Sequence, residues 1–414
     1  MSESNVSFRS DVQVIGLVGL AHGVSHFFQL LLPPLFPWIK EELALSYAEL
    51  GALMAVFFVV SGFGQAAAGF VVDKVGARTV LLAGVGLLAL SAVVTGLSDG
   101  YAGLALAAAI AGLGNCVFHP ADFSLLNRRV STTRLAHAFS VHGISGNLGY
   151  AVAPAFLVGL AQWTGSWRTA ALAAAAVAAV VGLLLATNRL LDDRQARAPL
   201  AASSRQSGAG STLEFLRLPQ VWLCFAFFFV SALAIGGVQS FAPTALHQLY
   251  GMPLTVAALS YTAFMLASAG GMVVGGFAAS RRADHDRLIA WCMAAAGAVS
   301  VLLGVGIVPA LAVLPLMALI GFGSGVANPS RDLLVRAAAP EGATGRVYGT
   351  VYSGLDAGMA VAPLIFGLIM DAARPGLVFA GVGVCQFLAI VTAVMVGTGC
   401  RRRRESTLLT AEGG

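Results

Sequence analysis

Apolar residues dominate long, uninterrupted stretches of this chain, and polar residues gather in short segments between them. At least ten stretches reach the roughly 20 residues that cross about 30 Å of hydrocarbon as an α-helix, far more than a leader plus an anchor requires. Allowing for segments interrupted by Gly, Pro or His, the count is twelve. The pattern predicts helices over 12–36, 47–71, 79–97, 101–126, 136–160, 167–187, 220–246, 255–279, 287–307, 310–336, 346–371 and 376–398, numbered here 1 to 12. The expected fold class is all-α integral membrane.

The pattern also repeats. Pro120 and Pro329 stand 209 residues apart, as do Pro154 and Pro363, Gly112 and Gly321, Gly114 and Gly323, Gly149 and Gly358, and Pro34 and Pro243. Helix 4 carries GLGNCVFHPADFSLL where helix 10 carries GFGSGVANPSRDLLV, and helix 5 carries GYAVAPAF where helix 11 carries GMAVAPLI. A fixed offset of helix-breaking residues over half the length marks a duplicated object whose function is to be sought between its copies. Between them lies a polar stretch containing DDRQARAPLAASSRQSGAGS, read as a flexible linker. The expected organisation is a six-helix bundle over 1–189, a cytoplasmic linker over 190–219, a second bundle over 220–400 related to the first by a pseudo-twofold axis, and a basic cytoplasmic tail over 401–414. A cavity between the halves, bounded by helices 1, 4, 7 and 10 and flanked by 5 and 11, is the expected path for a ligand.

Composition agrees with a membrane protein: 58% of residues are hydrophobic and 10% charged, against about 25% charged in a soluble domain. With the N-terminus in the cytoplasm, only Lys40, Arg168 and Arg374 of the 24 basic residues face outward, and the other 21 lie in inner segments. That bias predicts both termini inside, in a bacterial cytoplasmic membrane. Trp38, Trp163, Trp167, Trp222 and Trp291 all fall near helix ends, where aromatic belts form. The net charge of +5 is spread over inner loops and does not point to nucleic acid. Cys116, Cys224, Cys292, Cys385 and Cys400 lack metal-ligand spacing and read as small apolar fillers.

Between helices 2 and 3, Gly69-Phe-Val-Val-Asp73-Lys74-Val-Gly76-Ala-Arg78 reads as a helix ending at a glycine, a tight cationic turn, and an acid able to cap the next helix or accept from Arg78. Following the second of twelve helices, it resembles the signature loop of the major facilitator superfamily. That resemblance implies a twelve-helix transporter in which Gly69, Asp73, Gly76 and Arg78 form a conformational latch. The second-half version has Ser280 in place of the acid. Gly149-x-x-x-Ala153-Pro154 resembles a degraded form of the superfamily's antiporter motif; the alternative is a packing kink, since small residues allow close helix contact and Pro bends a helix. Pro120, Pro154, Pro329 and Pro363 are expected as helix kinks. Val117-Phe118-His119-Pro120, the run Gly143 to Gly149, and Ala21-His22 with Gln29 resemble the fosmidomycin-resistance branch of drug exporters in this superfamily. Where that branch often carries an acid four residues after the first helix-1 histidine, this chain has His26.

Polar residues at depth supply the candidate chemistry. His22, His26 and Gln29 at i, i+4 and i+7 make one stripe on helix 1, with His22 near the midplane, and a stripe facing lipid would be costly. Either histidine can titrate near neutral pH. Asp356 reads as the only acid well inside a helix, a candidate for reversible protonation or for a hydrogen bond to a neighbouring helix; its first-half counterpart is Asn147. His119 and His142 are expected toward the inner ends of helices 4 and 5, lining a mouth, with His119 alternatively satisfying carbonyls freed by Pro120. Asp122, Arg331 and Asp332 are placed at the inner surface, Asp332 pairing with Arg336 at i+4 and Arg331 offering a contact for an anion.

No nucleotide loop, metal-ligand spacing or nucleophile constellation is visible, so the reading is neither an ATP-driven pump nor an enzyme and calls for no cofactor. It is a monomeric secondary active transporter in a lipid bilayer, using protons to export a small organic compound by alternating access. The rivals are an importer or facilitator of an organic anion, and a non-transporting receptor or assembly factor, against which the polar residues at depth argue. Metal export through His22, His26, His119 and His142 ranks last, because no carboxylate or thiol cluster accompanies them.

Overall fold

A computed structural model describes residues 8–191, 217–281, 284–338 and 344–412. Among them, twelve helical spans are long and apolar enough to cross a membrane. Fourteen α-helices build these spans: α1 Phe8–Gln29, α2 Phe36–Leu43, α3 Tyr47–Val75, α4 Ala77–Leu97, α5 Tyr101–Asn115, α6 Phe118–Arg129, α7 Leu135–Thr164, α8 Trp167–Thr187, α9 Pro219–Tyr250, α10 Leu254–Arg281, α11 His285–Val305, α12 Ala310–Ala338, α13 Thr344–Asp371 and α14 Gly376–Glu412. Predicted helices 1 and 4 are each broken. A short 3₁₀ turn over Pro33–Leu35 separates α1 from α2, and the chain leaves helical geometry at Cys116–Val117 between α5 and α6. Pro120, four residues after Cys116, has no N–H to offer the Cys116 carbonyl and crowds it, which accounts for the second break. Pro154, Pro243, Pro329 and Pro363 instead lie inside continuous helices. The last helix runs beyond its expected end at 398 through the basic segment, where Arg401 Nη1 donates to Asp286 Oδ2 at 2.9 Å.

Helix ends follow local chemistry. A capping box opens α3, with Ser46 Oγ accepting from Glu49 N at 3.1 Å and Glu49 Oε2 accepting from Ser46 N at 2.7 Å. Gly76, at φ 101°, closes it in backbone space that disfavours a side chain. The outward faces carry large apolar side chains such as Phe63, Trp163, Trp291 and Leu311. In water these would drive aggregation, whereas against acyl chains they are at home, and the helices satisfy their own backbone hydrogen bonds.

The chain divides into two compact units, Met1–Pro199 with Pro253–Thr262, and Leu200–Met252 with Ala263–Gly414. In the first, α1 packs along α7 and α4 along α8; the start of α10 joins it, with Thr262 Oγ1 donating to Ala151 O at 2.7 Å and Leu254 and Ala258 packing on Val158. In the second, α9 packs on α13 and α14, and α11 on α14, around a core that includes Phe227, Phe228, Ile289, Val351 and Ala393. The expected linker over 190–219 falls mostly outside the described residues.

The repeated glycines have a common physical task. A Cβ built on Gly149 would overlap the carbonyl oxygen of Gly23 on α1, and one on its partner Gly358 would overlap that of Phe229 on α9. Gly112 and Gly321 are likewise pressed against the carbonyls of Phe57 and Phe264. Each copy therefore brings helix backbones into direct contact at matching places.

Candidate functional site

The α1–α7 contact determines the site. Gly146, one turn before Tyr150 on α7, leaves room for two histidines of α1: a Cβ there would come within 2.8 Å of His26 Nδ1 and 3.1 Å of His22 Nε2. The space vacated by the glycines is filled by imidazole. His22 stacks on His142 of α7 with ring centroids 3.5 Å apart and planes at 22°, and lies 4.3 Å from the His26 ring and 5.2 Å from that of His119 on α6. Four histidines from three helices thus share one pocket of the first unit.

At its floor is Asp122, on α6, which is fully buried. His142 Nε2 is hydrogen-bonded to Asp122 Oδ2 at 3.1 Å, and His22 Nδ1 lies 3.3 Å from the same oxygen. This corrects two expectations: Asp356 is not the only acid inside a helix, and a carboxylate does accompany the histidines. Asp122 stands seven positions before the end of α6 at Arg129, and His142 seven positions after the start of α7 at Leu135. Both are about 10 Å from the loop joining those helices, at 1.5 Å per residue. His22 reaches them because α1 starts at Phe8, ahead of its expected start, and its first turns lie beside that loop. Ser131 Oγ and Arg134 Nη1 donate to the buried Asp11 Oδ2 at 2.6 and 2.5 Å and hold α1 in this register. Of the two histidines read as lining a mouth, His142 is buried and His119 half-buried.

Gln29, the third member of the α1 stripe, belongs to a second polar group. Tyr150 Oη donates to Gln29 Oε1 at 2.5 Å, Gln29 Nε2 donates to Asn115 Oδ1 at 3.2 Å, and Asn115 Nδ2 donates to Ser61 Oγ at 2.9 Å. The chain crosses α7, α1, α5 and α3, and the Tyr150 ring lies 4.3 Å from His26, so both polar groups are continuous. Asn147 is half-buried on the same helix. Sequence reasoning missed Asp122, Tyr150 and Asn115. Asp122 was signalled by its i+3 spacing from His119, which puts both on one helix face; the other two carry no local signal.

The remaining candidates lie apart. Asp356, in the middle of α13 in the second unit, is half-buried and has no hydrogen bond or ion pair among the described residues. The Arg331 guanidinium is 4.7 Å from the Phe228 ring centroid, packed on an aromatic face, while the side chains of the expected Asp332–Arg336 pair lie outside the described residues. The signature loop differs from its reading. Gly69 is inside α3, Asp73 is exposed in that helix's last turn and caps nothing, and Gly76 makes the stop. Asp73 Oδ1 lies 3.9 Å from Arg128 Nη2, and Arg78 Nη2 donates to Ala186 O at 2.6 Å, joining α4 to α8. The side chains of Ser280 and Arg281, and all of Arg282, lie outside the described residues.

Membrane-length helices, matching glycine contacts within each of the two units, and buried histidines, a carboxylate and amides within the first unit mark a polytopic α-helical membrane protein. The model of the Major Facilitator Superfamily matches residues 18–363, and the chain belongs to that superfamily. Its twelve membrane-length helices are those of an integral membrane protein. It is 24% identical over 278 residues to the fosmidomycin resistance protein of Escherichia coli (strain K12), a match covering 66% of each chain. It is 25% identical over 355 residues to a probable nitrate/nitrite transporter, NarK2, of Mycobacterium tuberculosis, covering 82% of this chain and 85% of that one. The match to the fosmidomycin resistance protein thus spans about two thirds of that relative's length. Among solved structures, a bacterial homolog of the human lysosomal transporter Spinster, in an inward-facing and occupied conformation, superposes with a TM-score of 0.72 over 98% of both chains at 14% identity, a likeness of fold.

Proposed function

We propose that the protein is a secondary active transporter that exports a small organic compound by alternating access, driven by protons. The observation that carries this reading is Asp356. An intramembrane carboxylate without a partner is costly and is kept where it works, and such a group can take up a proton in one conformation and give it up in another. The polar group of His22, His26, Gln29, His119, His142 and Asn147 is then part of the substrate and proton pathway. Export is supported by the match to the fosmidomycin resistance protein, and an inward-facing N- and C-terminus by the distribution of basic residues. A second reading, passage of a small anion, is favoured by the half-buried Arg331 and the nitrate/nitrite relative.

The test is substrate-induced proton movement in proteoliposomes, with fosmidomycin and nitrate as probes. Wild-type protein is expected to accumulate fosmidomycin against its gradient with opposite proton flow. Asp356→Asn should abolish accumulation and retain downhill exchange. An undiminished proton signal in Asp356→Asn would make it a packing residue, and a nitrate-only signal would establish the second reading. Cysteines placed in the 190–219 segment should be labelled only in inverted vesicles.

A further inference from the structure

The first unit holds a cluster of buried polar atoms that lack partners. Both ring nitrogens of His26, Nδ1 of His22 and Oδ1 of Asp122 are buried without a hydrogen-bond partner. Buried polar atoms are nearly always paired, and orphans in one place require a reason. His22 Nδ1 faces Asp122 Oδ2 at 3.3 Å but makes no hydrogen bond to it. Extra protons are a poor remedy: charging both His22 and His142 would place two cations on rings 3.5 Å apart, with one carboxylate to share.

We infer that His22, Asp122 and His142 form a binding site for a divalent transition-metal ion of the zinc, cobalt and nickel class, with His26 and His119 as neighbouring donors. The donor atoms of His22, Asp122 and His142 all lie within 4.8 Å of one another, and His22, His26 and His119 form a second such group. Ligands about 2.0–2.2 Å from a tetrahedral ion are separated from each other by roughly 3.3–3.6 Å. The separations from Asp122 Oδ2, 3.3 Å to His22 Nδ1 and 3.1 Å to His142 Nε2, lie at or slightly under two such edges. The ion accepts lone pairs from several imidazoles at once, which no single proton does, and Asp122 offsets part of its charge. Imidazole with one carboxylate suits borderline transition metals and is wrong for calcium or magnesium, which demand oxygen ligands. The three ligands come from α1, α6 and α7, so the ion would fasten these helices together. Asp356 is not among the ligands, so the inference stands whether or not the proton-coupling reading does.

The experiment uses the full chain, purified with an affinity tag free of histidine and stripped with a chelator. Titration with cobalt(II) should give visible absorption bands of a low-coordinate site that saturate at one ion per chain and are displaced by zinc. Asp122→Asn and His142→Ala should each weaken binding by more than the 10–100-fold typical of an outer-shell partner. His137→Ala, an exposed histidine on the same helix, should bind as wild type does. Absence of saturable cobalt binding overturns the inference, as does binding unchanged in both ligand variants or lost equally in His137→Ala. Should the ligand variants fail to fold, X-ray absorption of the zinc-loaded wild type decides: two or more imidazoles with oxygen support the site, and sulfur ligation or an all-oxygen shell overturns it. Persistence of metal binding in Asp356→Asn separates this result from that of the transport assay.

Discussion

Gly149 gives the most direct test of how the site is built. In Gly149→Ala the new methyl would overlap the Gly23 carbonyl oxygen and sit 2.9 Å from its carbon and 3.1 Å from Phe27 N. The first of these is about 0.6 Å short of an optimal carbon–carbon contact, and the obstacle is backbone, which has no rotamer to change. Relief requires α1 and α7 to separate, pulling His22 and His26 away from His142. Overpacking costs about 1–3 kcal/mol, and a rigid backbone obstacle belongs at the upper end. Alanine's better helix propensity returns at most about 1 kcal/mol. A net loss of about 2–3 kcal/mol in a unit of this size lowers the melting temperature by roughly 5–10 °C. Gly143→Ala is the internal control: it lies on the same helix, nothing is within 4 Å of its Cβ, and only the propensity gain applies, so its melting temperature should match or exceed wild type. Melting of the detergent-purified protein, followed by intrinsic fluorescence, measures both. If the two variants melted together, the account of Gly149 as a backbone contact would be wrong.

Two further outcomes are expected beyond the transport and metal-binding measurements. Tyr150→Phe removes the donor to Gln29 Oε1, leaves a buried acceptor unmet at a cost of about 1–3 kcal/mol, and should lower the melting temperature by a few degrees while weakening probe binding; unchanged values for both would show that the Tyr150–Gln29 bond contributes nothing. Asp73→Asn should leave melting unchanged, since an exposed pair at 3.9 Å is worth about 0–1 kcal/mol, yet slow turnover if the loop acts as a latch, and a wild-type transport rate would end that proposal.

Helix number and placement were legible because hydrocarbon imposes a length and a polarity on every span, and the 167–187 helix falls on its expected bounds. The histidine stripe on α1 was legible from its spacing. What escaped was tertiary. Asp122 and His142 look peripheral when counted along their own helices, and they become central only because two glycines let α1 approach α7. Hydropathy likewise gave no warning that helix 4 breaks at Cys116–Val117, since the residues there are apolar and the cause is the proline beyond. Asn115 and Tyr150 could not be placed because a hydrogen-bond chain across four helices leaves no periodic trace in any one of them.

The repeated glycines bear on how the two copies diverged. At the 209-residue offset His22 answers to Ser231, His119 to Asn328, Asp122 to Arg331, His142 to Val351 and Asn147 to Asp356. The steric instructions stayed in both halves while nearly every ionisable group changed sides or vanished. A duplicated frame that keeps its backbone contacts leaves each half free to specialise: one concentrated its imidazoles, the other carries the Asp356 carboxylate inside a helix. Exchanging residues between equivalent positions should therefore be tolerated by the fold and ruinous to the chemistry, whereas exchanging a contact glycine for any larger residue should do the reverse damage first, to the fold.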